Sequence, residues 1–165
     1  MTPADRPGTG GPPWPEPIYL DASALVKLFV PEPESDAINE ALIGAEDVII
    51  SDLALTEMAS ALGRRLRERR LRIPDVRRLQ REAGKLANAC SHAELTPPVH
   101  RRAERLLLSS RDVALRTLDA LHLATALAAD AATLVTFDPR LRAAAQAQGL
   151  YVAPESQDSS ISGLP

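Results

Sequence analysis

Short aliphatic runs recur along the chain, and after each one apolar residues return at helical spacing. The first run is Ile18-Tyr19-Leu20, which stops at Asp21. A helix through Ala24, Leu25, Val26, Leu28 and Phe29 follows at once, and Pro31 and Pro33 end it. A second helix, over about 34–43, leads into the strand Val48-Ile49-Ile50. Ser51 reads as the N-cap of a long helix on which Leu55, Met58, Ala59, Leu62 and Leu66 share one face. Pro74 opens a helix to about Cys90, and a short strand is expected around Ala93-Glu94-Leu95. Pro97 or Pro98 opens a helix to about Ser109, and an apolar helix runs from Thr117 or Leu118 to Ala129. The strand Thr133-Leu134-Val135-Thr136, a helix from Pro139 to Gln148 and the strand Leu150-Tyr151-Val152 complete the pattern.

Short aliphatic strands alternating with helices predict an α/β fold: a central parallel sheet of four to five short strands with helices on both faces. Residues 1–16, rich in Pro, Gly and Thr, are expected to form a flexible tail, and the polar stretch 154–165 a second one. That leaves one domain over 17–153. In such sheets ligands bind at the carboxyl ends of the strands, so the residues just after each strand are the ones to inspect.

Composition changes this picture only in places. Apolar residues make up 45% of the 165 while aromatics are 3%, so the core must be aliphatic. No apolar run is long enough to cross a bilayer, and the start carries no export pattern, so neither membrane nor secretion is expected. The single cysteine, Cys90, cannot form an intrachain disulfide, which fits a reducing cytoplasm. A net charge of −3 argues against a protein that coats nucleic acid by charge alone. The charge is unevenly spread, however: Arg64, Arg65, Arg67, Arg69, Arg70, Arg72, Arg77, Arg78 and Arg81 crowd one stretch. It reads either as a solvated helical surface or as a rim that grips phosphates.

Four acids stand where chemistry is expected. Asp21 follows the first strand directly, and Asp138 lies two residues after Thr136. Glu57 sits about two turns into the helix after Ile50, and Asp119 in the first turn of the apolar helix. Each has an ordinary reading: Asp21 and Asp138 as helix caps, Glu57 as a solvated surface residue, Asp119 as a charge matched to a helix N-terminus. Asp119 resists that reading most, because its helix is apolar almost all round and an ionised carboxylate buried there needs a cation or several donors. Arg116 is the only nearby basic candidate. Several acids at one sheet edge raise each other's pKa values unless a divalent ion sits among them, and oxygen ligands of this kind suit Mg²⁺ or Mn²⁺. Metal-assisted hydrolysis of a phosphate ester is the chemistry this set could perform.

Four segments then resemble the PIN-domain family, and within it the VapC toxins of VapBC toxin–antitoxin pairs. They are Ile18-Tyr19-Leu20-Asp21-Ala22-Ser23-Ala24-Leu25-Val26-Lys27, Thr56-Glu57-Met58-Ala59-Ser60-Ala61-Leu62, Leu118-Asp119-Ala120-Leu121-His122-Leu123-Ala124-Thr125-Ala126 and Thr136-Phe137-Asp138-Pro139-Arg140-Leu141. The match spans about Ile18 to Val152. The resemblance implies a Mg²⁺-dependent endoribonuclease, dimeric and held inactive by a VapB-like antitoxin. It makes Asp21, Glu57, Asp119 and Asp138 the metal-binding acids, with Ser23 and Thr136 as supporting hydroxyls. Arg64, Arg65, Arg67 and Arg116 become candidates for contact with RNA or antitoxin. His122, one turn past Asp119, is expected to support or pack, Lys27 to be a solvated amine or to meet a phosphate, and Thr125 to fill the core.

Other readings remain. A structure-specific DNA nuclease shares the acid cluster, but its chains carry DNA-clamping elements with no counterpart here. A catalytically silent module could act through the Arg-rich helices alone. A phosphoacceptor domain wants adjacent acids after the first strand, and a haloacid-dehalogenase-type phosphatase wants Asp-x-Asp; Ala22 and Ser23 break both patterns.

Overall fold

The computed structural model describes residues 13–109 and 114–155; over 1–12 and 156–165 the two expected tails lie outside them. Five strands form one sheet: β1 (Ile18–Leu20), β2 (Val48–Ser51), β3 (Ser91–Ala93), β4 (Thr133–Val135) and β5 (Tyr151–Ala153). Their order is β3-β2-β1-β4-β5, and every pairing is parallel. Parallel neighbours need crossovers, which the helices supply. These are α1 (Ala22–Phe29), α2 (Ser35–Ala41), α3 (Asp52–Arg67), α4 (Ile73–Ala89), α5 (Pro97–Ser109), α6 (Thr117–Ala128) and α7 (Pro139–Ala147).

Successive strand residues point to opposite faces, and the core divides accordingly. Ile18, Leu20, Ile50 and Val135 pack on one side with α1, α3 and α4 residues such as Leu25, Met58, Leu62 and Leu79. Tyr19, Ile49, Leu134 and Val152 pack on the other with Val99, Leu106, Leu123 and Leu141 from α5, α6 and α7. Both faces being covered explains why these strands read as unbroken aliphatic runs. Burying each large side chain contributes about 1.5–3 kcal/mol. β3 sits two residues earlier than expected. Its Ser91 and His92 are exposed at the sheet edge, so it carries no aliphatic signature; what sets it is pairing with Ile49, Ile50 and Ser51.

The chain runs outward from β1 through β2 to β3, then returns to β4 on the opposite side of β1. Strand order therefore reverses between β1 and β4, which opens a crevice at their carboxyl ends. Leu20 is in register with both Ile50 and Val135, so Asp21, Ser51 and Thr136 fall along that one edge.

The packed unit also begins earlier than residue 17. Trp14 is 9% exposed and belongs to the core. The Pro15 carbonyl accepts a 2.6 Å hydrogen bond from Thr133 Oγ1, and the Glu16 carboxylate accepts from the Glu46 and Asp47 amides at 3.0 and 3.1 Å. One tryptophan among prolines carries no periodicity, so the pattern could not show its docking. Trp14→Ala is expected to cost roughly 3 kcal/mol in urea unfolding followed by circular dichroism. A loss well under about 1 kcal/mol would make the segment a surface clip instead.

Candidate active site

Asp21 ends β1 and caps α1. Its Oδ1 accepts from the Ala24 amide at 2.8 Å and from Ser23 Oγ at 2.7 Å, and its Oδ2 accepts from Thr136 Oγ1 at 2.6 Å. Thr136 Oγ1 in turn accepts from the Asp138 amide at 3.0 Å, and Ser23 Oγ accepts from the Phe137 amide at 2.9 Å. Asp138 caps α7 through Oδ1, which accepts from the Arg140 and Leu141 amides. Asp21, Ser23, Thr136 and Asp138 thus form one network between the ends of β1 and β4. The capping reading of the two aspartates is fulfilled, and a cap occupies only part of each carboxylate.

Asp119 lies at the third position of α6, where Oδ2 accepts from the Arg116 amide at 3.1 Å. It is only half-buried, unlike Ala120, Leu123 and Ala124 after it, which are fully buried. The first turn of a helix has no preceding turn to cover it, which the all-round apolar pattern does not reveal. The Arg116 side chain is exposed, and the backbone amide rather than the guanidinium meets the acid. Glu57, on α3, is bound through Oε2 to His122 Nε2 at 2.6 Å.

Burial pushes the Asp21 carboxyl above its ordinary range, a rise that nearby His122 and the bonds from Thr136, Ser23 and the Ala24 amide only partly offset. Asp119 is also raised, by desolvation first, against the Arg116 amide, and further by the negative charge of Asp138. Among the described residues no lysine or arginine forms an ion pair with any of the four acids. Among the described residues the four carboxylates are thus left without an ion-paired lysine or arginine.

Do these residues suit a divalent ion? One oxygen each of Glu57, Asp119 and Asp138 has no hydrogen-bond partner among the described residues, and Asp21 Oδ2 has one. Among the same residues no three acidic, histidine or cysteine side chains stand close enough to enclose a metal unaided. Mg²⁺ does not ask for that: it keeps several waters and takes one or two carboxylates plus substrate phosphate oxygens. An all-oxygen set with free lone pairs fits such an ion.

A groove of about 640 Å³ leads away from the crevice between α1 and α3, lined among others by Ser23, Glu57, Leu118, Arg64, Arg65 and Arg67. Arg64 and Arg67 are exposed along it. Arg65 is instead committed to an ion pair with Glu32. Lys27 is neither solvated nor waiting for a phosphate. It donates to the Pro33 carbonyl and to Glu34, and it lies 4.6 Å from the centre of the Phe137 ring. Thr125 is buried and donates to the Leu121 carbonyl, as expected of a core residue.

Two residues at the site had not been singled out from the sequence. Arg142 donates to the Thr136 carbonyl at 3.0 Å, bracing the turn that carries Asp138. Tyr19 bonds both Ser51 and His122 from inside the sheet. A phenol in the middle of an aliphatic buried strand was the available signal, since its hydroxyl must find a partner.

Comparison with known proteins agrees with this architecture. A family model described as the PIN domain matches residues 18–147. The chain is 40% identical over 141 residues to Ribonuclease VapC46 of Mycobacterium tuberculosis, covering 84% of this chain and 98% of the relative. In fold it resembles the crystal structure of Mycobacterium tuberculosis VapC20, a sarcin-ricin-loop-cleaving toxin. There the TM-score is 0.62 at 18% identity, over 77% of this chain and 94% of the other. It also resembles Rickettsia felis VapBC2 bound to a promoter DNA fragment, with a TM-score of 0.59 at 17% identity, over 82% of this chain and 96% of the other.

Proposed function

The chain belongs to the PIN-domain family, and from that premise we propose that it is a metal-dependent endoribonuclease, the toxin half of a VapBC-type pair. The observation that carries this reading is that Asp21 and Asp138 share one network at the strand ends, Asp119 feels the charge of Asp138, and among the described residues no lysine or arginine is ion-paired to these acids or to Glu57. The ribonuclease relative, whose whole length this chain nearly spans, supports RNA as the substrate.

Asp21 and Asp119 would hold the ion directly, with Glu57 and Asp138 completing its surroundings directly or through water; Mg²⁺ is expected and Mn²⁺ is a substitute. When bound, the ion lowers the pKa of water and neutralises charge on the phosphodiester. The chain's own residues do the rest. The Ser23 and Thr136 hydroxyls fix the Asp21 carboxylate, and Glu57 or Asp138 takes the proton of the attacking water. Arg64 and Arg67 draw the phosphate backbone along the groove, while Arg65, held by Glu32, shapes its wall. Arg116 stands exposed at the crevice and is a further contact for RNA or antitoxin.

A VapB-like antitoxin competing for the same groove is the natural inhibitor, a reading supported by the toxin–antitoxin complexes among proteins of this fold. A homodimer in the cytoplasm completes the proposal. Among the described residues no helix is long and apolar enough to cross a membrane.

The test is cleavage of matched RNA and DNA oligonucleotides with Mg²⁺ and with excess chelator. RNA cut only with metal is the expected result. DNA cut in preference to RNA would move the chain to the DNA-nuclease reading, and tight RNA binding without cleavage would make it a silent module. The double variant Arg64→Ala, Arg67→Ala should weaken RNA binding at low salt and leave the single-turnover rate at saturating RNA unchanged. If each arginine meets one phosphate, the slope of log affinity against log salt falls by about 1.4. An unchanged slope would assign the arginines to solvation alone.

A further inference from the structure

Behind the acids runs a second line of polar groups that the proposed mechanism does not use. Ser51 Oγ caps α3 by accepting from the Ala54 amide at 3.1 Å. It lies 2.8 Å from the Tyr19 hydroxyl, which lies 2.8 Å from His122 Nδ1, and His122 Nε2 meets Glu57 Oε2 at 2.6 Å. Ser51 and Tyr19 are fully buried and His122 is 3% exposed. The line crosses from β2 through β1 to α6 and ends on α3, so it ties together elements far apart in sequence.

Hydrogen-bond accounting sets its direction. A carboxylate only accepts, so Nε2 must carry the proton it shares with Glu57. A neutral ring then presents Nδ1 as an acceptor, and the Tyr19 hydroxyl donates to it. Tyr19 oxygen is left to accept, and Ser51, already accepting from Ala54, donates its own proton to it. Every group is satisfied in this arrangement. A ring protonated at both nitrogens would reverse Tyr19 toward Ser51, whose hydroxyl proton would then have no acceptor among the described residues. The opposite neutral tautomer would set an Nε2 lone pair against the Glu57 carboxylate.

We propose that His122 and Tyr19 are positioning residues of the nuclease site: the line from Ser51 locks His122 in the Nε2–H tautomer, which pins Glu57 through Oε2 and leaves Oε1 for the metal. The proposal rests on the reading that the acid cluster binds a divalent cation. A glutamate on a helix face is otherwise free to sample many rotamers, and ordering it only on binding would weaken the ion's hold. A buried histidine that merely satisfied itself in the core would need Tyr19 but not Glu57. Here its second nitrogen faces one of the four acids.

The test has two arms. Nitrogen-15 NMR of the metal-free protein reads the ring tautomer directly, with the His122 signals assigned by their loss in His122→Asn. A ring with its proton on Nε2 and a bare Nδ1 is expected; a proton on Nδ1 overturns the proposal. In the second arm Mn²⁺ is titrated by electron paramagnetic resonance into wild type, Tyr19→Phe, Glu57→Gln and the double variant. Tyr19→Phe removes one oxygen and should melt within about 5 °C of wild type. It should bind Mn²⁺ about tenfold more weakly and lose about tenfold in kcat with KM for RNA nearly unchanged. In the Glu57→Gln background the same change should alter Mn²⁺ affinity little, because both act through one carboxylate. Unaltered Mn²⁺ affinity in Tyr19→Phe sinks the positioning role while leaving the nuclease reading intact. Wild type that binds no Mn²⁺ sinks the metal reading, and this proposal with it. Should Tyr19→Phe fail to fold, the tautomer of wild type decides alone.

Discussion

Asp21→Asn and Asp119→Asn should each cut RNA roughly a thousandfold more slowly than wild type with Mg²⁺ while remaining folded. Loss of a direct carboxylate contact to the ion removes several kcal/mol of charge stabilisation in the transition state, and about 4 kcal/mol corresponds to that factor. The fold should survive for a local reason. Asparagine caps a helix about as well as aspartate, so position 21 keeps its acceptor for the Ala24 amide and position 119 its acceptor for the Arg116 amide. Single-turnover cleavage of a labelled RNA, read beside thermal melting, checks both halves. Full activity in either variant would remove that acid from the site, and full activity in both would end the acid-cluster mechanism.

The second large effect is on stability, where metal and pH act on the same carboxylates. Asp21 and Asp119 have raised folded-state pKa values, so the folded chain holds protons there more tightly than the unfolded chain does. The sign follows: their contribution is complete below the ordinary carboxyl value of roughly 4 and is lost as pH rises through the higher folded values. Metal-free protein should therefore melt at a higher temperature as pH falls from neutrality into that window. Below it, carboxylates with the opposite shift, such as Asp75 with its Arg72 partners, reverse the trend. A divalent cation should relieve the same cost at neutral pH. At a hundred times its dissociation constant it adds about 2.7 kcal/mol, or about 5–10 °C for a chain of this size. Asp21→Asn should lack most of the metal-induced rise, and its metal-free melting should change less as pH falls from neutrality toward the ordinary carboxyl range. Melting curves with Mn²⁺ and with chelator across that range decide it. A metal-induced rise equal in wild type and variant would place the ion elsewhere.

These two results bear on why the crevice tolerates its charge. Each acid is tied on one side, Asp21 and Asp138 to helix amides, Asp119 to the Arg116 amide and Glu57 to His122. Such bonds orient the carboxylates without neutralising them. A lysine or arginine in their place would stabilise the apo fold and occupy the position the ion needs. The nearest basic residues of the groove show that alternative in use, since Lys27 and Arg65 are engaged with Glu34 and Glu32.

How much was legible beforehand divides along the same physical line. Element positions could be read because strand and helix periodicities are local: Ile18–Leu20, Val48–Ile50 and Thr133–Val135 announce buried parallel strands, and prolines mark helix starts. The placement of Asp21 and Asp138 at strand ends could be read for the same reason, because a sheet's carboxyl edge is fixed once its strands are. The family resemblance added Ser23 and Thr136, which do share one network with Asp21.

What the chain alone could not decide was which side chains would meet. Thr136 reaches Asp21 across 115 positions, Tyr19 reaches His122 across 103 and His122 reaches Glu57 across 65. Trp14 enters the core, β3 pairs without an aliphatic signal and Arg65 turns to Glu32 for equally non-local reasons. Hydrophobic spacing states which face of an element is buried. A hydrogen bond or an ion pair needs two particular atoms within about 3 Å, and only the packing of the whole sheet against its helices sets that distance.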